Sequence, residues 1–208
     1  MENNNLIDLL QGQLSSGGML DFLSQQIGGE DKEKTATATS GIVSTLIGAL
    51  AKNTSTQEGA SSLYNALERD HDGSILDDIT GMLSGNKQPQ QQKALDGAGI
   101  LWHLLGDKQN NATNMISNMS GMDTQKVGNL MTMLAPIVMG MLGKTQRQQG
   151  LDIGGLANLL NNTASSHSNQ NPTMSLITRF LDSDGDGSIV DDVANMGLKM
   201  LGDFFKKR

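Results

Sequence analysis

Two acidic segments carry the pattern in this chain that most suggests a chemistry. One runs Asp182-Ser183-Asp184-Gly185-Asp186-Gly187-Ser188-Ile189-Val190-Asp191-Asp192. Its twin upstream runs Glu68-Arg69-Asp70-His71-Asp72-Gly73-Ser74-Ile75-Leu76-Asp77-Asp78. Both read acid-x-Asp-x-Asp-Gly-Ser-Ile-x-Asp-Asp, and together they hold ten of the 22 acidic residues, offset within the segments by Arg69 alone. Like charge at that density is unfavourable unless a cation, a helix N-terminus or full solvation compensates it. A calcium ion takes oxygen ligands from positions one, three and five of a tight loop, a glycine turn at six and a backbone carbonyl at seven. Asp182, Asp184, Asp186, Gly187 and Ser188 fill those places in one segment, and Glu68, Asp70, Asp72, Gly73 and Ser74 fill them in the other.

The standard twelve-residue calcium loop closes on a bidentate Glu, whereas position twelve here is Val193 or Ile79. Closure would fall instead to position ten, Asp191 or Asp77, with Asp192 or Asp78 beside it. That shortened spacing resembles the loop of excalibur-type calcium domains. The second segment fits better, because Glu68 is longer than Asp and Arg69 weakens the local field. A purely structural reading competes with the cation. Ser74 to Asp77 and Ser188 to Asp191 fit a capping box, in which the serine caps a helix and the acid folds back onto the cap, and Asp-Gly is ordinary turn chemistry. Capping accounts for the serine and the tenth-position acid. It leaves three acids at alternate upstream positions unexplained, so calcium is the expected cofactor.

The elements that position these loops are helices. Leu6, Leu9, Leu10 and Leu14 recur at helical spacing, as do Met19, Leu20, Leu23 and Ile27 before Gly28-Gly29. A third helix is predicted from Glu30-Asp31, acids suited to a helix N-terminus, through Ile42, Val43, Leu46 and Leu50 to a turn at residues 52–55. Leu63, Ala66 and Leu67 lead into the first acidic loop, and Ile75 to Leu83 form the helix after it. Residues 86–94, polar and holding Pro89, make a linker between a first repeat, 1–85, and a second, 95–208. In the second repeat an apolar cluster at 99–106 precedes a polar turn at 107–111. A short helix holds Met115 and Ile116, and another is capped by Asp123. Pro136 should kink or restart that helix. After 144–150 a further helix holds Ile153, Leu156 and Leu160, and 161–172 reads as a soft linker before the second acidic loop. Strand alternation is absent, which makes the class all-α, a multi-helix bundle.

The two repeats align at a constant shift over their longest helices (142 − 50 = 92), which puts Gly48 on Gly140, Ile42 on Leu134 and Lys34 on Lys126. The acidic loops are further apart (184 − 70 = 114). Two copies of one unit commonly pack about a pseudo-two-fold axis, so one compact domain of two repeats is expected. Aromatics make up 3% of the chain and Met numbers 13, so Leu, Ile, Val, Met and Ala must fill the core. Met131, Met133, Met139 and Met141 read as core filling in preference to an adaptable groove, and His103 beside Trp102 reads as a packed histidine.

A formal charge of −7 opposes unspecific nucleic-acid binding. The basic run Lys206-Lys207-Arg208 reads as a solvated terminus. With no cysteine there is neither thiol catalysis nor a zinc–thiolate site. The N-terminus carries Glu2 where a secretory signal carries positive charge. The longest apolar run, residues 130–143, is about 14 residues and suits a buried helix better than a membrane span. A cytoplasmic protein is expected.

Gly99 to Gly106 (GILWHLLG), Ser120-Gly121-Met122-Asp123, Leu134 to Lys144 (LAPIVMGMLGK) and Asp184 to Asp192 follow one another in the second half. In order and spacing they resemble the bacterial domain of unknown function family nine-three-seven, to which the YidB-like proteins belong. The first half matches as a degenerate copy without the histidine-containing cluster or the proline. The resemblance implies a small all-helical bacterial protein, with a homeodomain-like arrangement of helices in YidB-like members, and it brings no catalytic residues. The expected function is therefore a non-enzymatic binding or structural module, with a protein partner or self-association. DNA binding by homeodomain-like helices is the alternative, and an enzyme ranks third.

Overall fold

The computed structural model describes residues 12, 17–71, 73–76 and 96–170. Among them are seven α-helices and no strand: α1 (Gly17–Gln26), α2 (Lys32–Asn53), α3 (Gln57–Asp70), α4 (Gly97–Leu105), α5 (Gln109–Ser120), α6 (Thr124–Gln149) and α7 (Ile153–Gln170), with a 3-10 turn at Gly106–Lys108. The protein is all-α. All but one residue of the predicted helix over Leu6–Leu14, most of the helix after the first acidic loop, the linker 86–94 up to its end and everything beyond 170 lie outside the described residues.

Two aspartates start the two long helices in the same way. Asp31 (φ −56°, ψ 138°) accepts hydrogen bonds from the backbone N–H groups of Glu33 and Lys34 at 2.9 and 3.2 Å. Asp123 (φ −58°, ψ 141°) accepts one from Gln125 at 2.8 Å. Each satisfies donors that the first helical turn leaves without partners and sets a negative charge at the positive end of the helix. Thr56 and Asp152 also cap α3 and α7, accepting from Gly59 N–H at 3.1 Å and Gly155 N–H at 2.7 Å.

Burial then decides the architecture. Every residue from Gly41 to Ala51 of α2 is buried, and so is every residue from Leu134 to Gly143 of α6. A helix covered on all faces lies at the centre of its fold. α2 packs against α7, α5, α6 and α1, while α6 packs against α4, α2, α5 and α3. The outer helices contribute one stripe each: Ala60, Leu63 and Leu67 from α3, Ala112 and Ile116 from α5, Leu156 and Leu160 from α7. Met131, Met139 and Met141 are buried in this core, as expected. By length and composition α6 would span a bilayer, but 72% of its most apolar window is buried inside the bundle.

One ion pair joins the two long helices. Glu30, just ahead of α2, accepts from Lys126 Nζ of α6 at 2.7 Å and lies 3.7 Å from Lys34 Nζ of α2. The Lys126 hydrogen bond, above all, holds the Glu30 carboxyl below the usual carboxylate range.

Several local expectations give way to packing. Pro136 does not restart its helix; α6 runs through it from Thr124 to Gln149. Proline removes the N–H that would have met the carbonyl of Thr132. The backbone of Gly97 presses against that same carbonyl, so closely that a Cβ at Gly97 would stand 1.8 Å from the oxygen. α6 also continues beyond Lys144, to a left-handed cap at Gly150 (φ 60°). Residues 161–170, expected as linker, prolong α7, because Thr163 is buried and Ala164 packs on the core. Contact with a core extends helices that propensity alone would end. The polar turn at 107–111 shrinks to the 3-10 turn, since α5 has begun by Gln109.

Candidate functional site

The first acidic segment begins inside a helix. Glu68 is exposed in the last turn of α3 and Asp70 is its final residue, half-buried. Two residues apart on a helix, their side chains leave the axis about 200° apart. Positions one and three of the supposed cation loop therefore do not share a face. Ser74 opens a short helical turn over residues 74–76, in which Leu76 N–H donates to Gly73 O at 3.1 Å. Asp72, Asp77 and Asp78 lie outside the described residues, as do Asp182, Asp184, Asp186, Ser188, Asp191 and Asp192. Among the described residues no three His, Asp or Glu side chains form a group able to hold a metal.

The structure builds a docking seat here. Gly73 adopts φ 95°, in the left-handed region, where a side chain is strained. It lies against α6: a Cβ at Gly73 would stand 2.9 Å from Lys144 Cβ and 3.3 Å from Gly140 O. A Cβ at Gly140 would meet Ile75 Cγ2 at 2.3 Å, and one at Gly143 would meet His71 O at 1.8 Å. His71, Gly73 and Ile75 thus lie in a notch that exists because α6 has no side chain at Gly140 and Gly143. His71 and Ile75 are buried in consequence. The element that Gly140 receives is this loop.

The same seat supplies cations. Arg147 Nη2 donates to the carbonyl oxygen of Glu68 at 2.9 Å, at the negative end of α3, where positive charge is favourable. Lys144 leaves α6 beside Gly73, and Arg69 is in the segment itself. These side chains bring positive charge to the described part of the first segment.

A second feature lies on α4. This nine-residue helix, GAGILWHLL, buries Gly97, Leu101 and Leu105, a stripe repeating every four residues. Trp102 faces outward and is 62% exposed, and His103 beside it is exposed as well. The packed histidine expected from sequence is therefore corrected. α4 packs chiefly through the face carrying Gly97, which leaves residues 102 and 103 on the far side. His71, by contrast, is buried.

These observations define an all-α bundle of two buried helices wrapped by shorter ones, with a glycine notch that holds an acidic loop. The chain belongs to the bacterial family of proteins of unknown function DUF937, whose model matches residues 8–145. The YidB-like resemblance is consistent with that membership. The match takes in the motifs at 99–106, 120–123 and 134–144. It also covers the first half from residue 8, which sequence reading treated as a degenerate copy, and it stops before the second acidic segment. No curated protein and no solved structure matches the chain.

Proposed function

We propose that this chain is a non-enzymatic module that presents the outer face of α4 to a protein partner, and that its acidic loops, above all residues 182–192, take a calcium-type cation. The observation that carries the partner reading is Trp102, the one tryptophan in the sequence and 62% exposed on a strongly apolar helix. Leaving so large an apolar surface in water forgoes about 1.5–3 kcal/mol of burial. Tryptophan is also the residue type most enriched where protein interfaces concentrate their binding energy. The partner is another protein or a second copy of this chain.

The cation reading rests on the spacing of Asp182, Asp184 and Asp186 before Gly187, with Asp191 as the closing ligand. The first loop is the weaker candidate, because Glu68 and Asp70 diverge on α3 and Arg147 already meets the end of that helix. Calcium titration followed by melting tests this part. A rise in melting temperature at millimolar calcium, lost in Asp184→Ala, is expected; an unchanged melting temperature with no heat of binding removes it. The partner reading is tested by Trp102 fluorescence and sedimentation across a concentration series and against bacterial extract, with Trp102→Ala as control. If neither the emission nor the mass responds to any concentration or extract, the α4 face is not a docking surface. A homeodomain-like arrangement would favour DNA instead. The charge of −7 opposes it, and a gel shift on random duplex at low salt would reveal even weak binding.

A further inference from the structure

We infer that the occupant of the outer α4 face is a second copy of this chain, docked antiparallel. Trp102 of each copy lies on Ala98 and Gly99 of the other, and His103 of each meets Asp96 of the other. The inference rests on the reading of that face as a docking surface and names its partner. Ala98, Trp102 and His103 are exposed, and Gly99 is half-buried among them. Trp102 follows Ala98 by four residues and Gly99 by three, so these three share one stripe of the helix. Asp96 and His103 are seven residues apart, nearly two full turns, and so fall on one line along the helix about 10 Å from each other. Asp96 accepts from the N–H of Gly99 at 2.9 Å, and its other carboxylate oxygen would stand 2.5 Å from a Cβ at Gly99. The carboxylate is thus folded over Gly99, on the face itself.

The pattern is self-complementary. In an antiparallel helix pair related by a two-fold axis, each residue faces the one equally far on the other side of the crossing point. The level midway between Asp96 and His103 falls between Gly99 and Ile100, and the level midway between Ala98 and Trp102 falls at Ile100. The two pairings therefore ask for the same crossing point to within about 1 Å. At that crossing a flat indole meets the two smallest residues of the face, and each carboxylate meets an imidazole able to donate to it. Charge selects the same occupant. At −7, copies of this chain repel one another, so contact between them needs a face without uncompensated charge. From Gly97 to Leu105 α4 carries no Asp, Glu, Lys or Arg, and the acid at its head is answered by the histidine near its tail. Two nine-residue helices, each about 14 Å long, cover less than the roughly 1,000 Å² of a stable interface. The pair is accordingly transient, with a dissociation constant on the order of 0.1 mM.

Sedimentation equilibrium of the full chain from about 10 µM to about 1 mM reads the association, with melting to confirm that each variant is folded. The parent is expected to pass from monomer towards dimer over this range, with its Trp102 emission moving to shorter wavelength. Trp102→Ala and Ala98→Gln, both at exposed positions, should weaken the dimer by about ten-fold or more. His103→Lys should tighten it roughly 3- to 10-fold and His103→Glu weaken it by a similar factor, because each dimer contains the pair twice. Asp96→Asn keeps a capping oxygen and removes the charge, so in that background the gain from His103→Lys should disappear. A parent that stays monomeric to the top of the range overturns the inference. If bacterial extract still shifts the Trp102 emission of such a monomer, the docking reading survives with a different protein as occupant; if extract is silent too, both fall. A dimer indifferent to Trp102→Ala, or a His103→Lys gain undiminished by Asp96→Asn, also overturns it, since the contact then lies elsewhere.

Discussion

Replacing Gly143 by alanine pits a helix preference against a steric limit, and the two can be weighed. In an exposed helix interior the change stabilises by about 0.5–1 kcal/mol, because glycine loses more backbone entropy than alanine. Gly128 offers that case on the same helix, with nothing within 4 Å of its added Cβ. At Gly143 the new methyl would stand 1.8 Å from His71 O and 3.0 Å from His71 C, backbone atoms that cannot turn aside as a side chain can. If His71, Gly73 and Ile75 stay, the overpacking costs about 1–3 kcal/mol. If they lift away, Ile75, now 2% exposed, forfeits about 1.5–3 kcal/mol of burial. After the helix preference is returned, Gly143→Ala should lose about 1–2 kcal/mol while Gly128→Ala gains up to about 1. Urea unfolding of the two variants beside the parent measures this, and hydrogen exchange at residues 73–76 reports whether the loop has lifted. A Gly143→Ala protein as stable as Gly128→Ala would refute the notch.

At Gly140 the obstacle is a side chain, so Gly140→Ala should be destabilising and partly rescued by Ile75→Ala, a coupling of about 0.5–3 kcal/mol readable in a double-mutant cycle. Glu30 is held in its charged form by Lys126, so its contribution is present above the ordinary carboxylate range and is lost as pH falls through its lowered folded value. Melting of the parent and of Glu30→Gln should therefore differ at neutral pH and converge as acid is added; a constant gap would contradict the pairing. Asp123→Ala should cost about 1 kcal/mol through its lost cap, with Asp31→Ala similar, both by chemical denaturation. Trp102→Ala should change stability by no more than about 0.5 kcal/mol, and Trp102 emission in the dilute protein should be water-like and fully open to acrylamide.

The helices and their starts were legible because the signals are local. Asp31 and Asp123 announce caps, and Leu23, Leu46, Leu101, Ile116 and Leu160 recur at spacings that place them on buried stripes. The all-α class follows from those periods alone. Helix ends were less legible. Pro136, Lys144 and Asn161 each carry a stop or break signal that burial overrides, since a turn packed on the core gains more than its propensity loses. His103 was misjudged because an apolar run of nine residues gives no phase: which of its faces is covered depends on a neighbour distant in sequence.

The acidic segments divide in the same way. Their composition, spacing and internal likeness belong to the sequence, and so does the electrostatic demand that something offset them. What stands beside the first one could not be read from its own eleven residues, because Arg147, Lys144, Gly140 and Gly143 lie some seventy residues further on. Only folding brings that stretch of α6 beneath the loop. Capping, periodicity and turn chemistry act over a few residues and can be read along the chain. A seat made by the absence of two side chains exists only once another part of the chain has come to fill it.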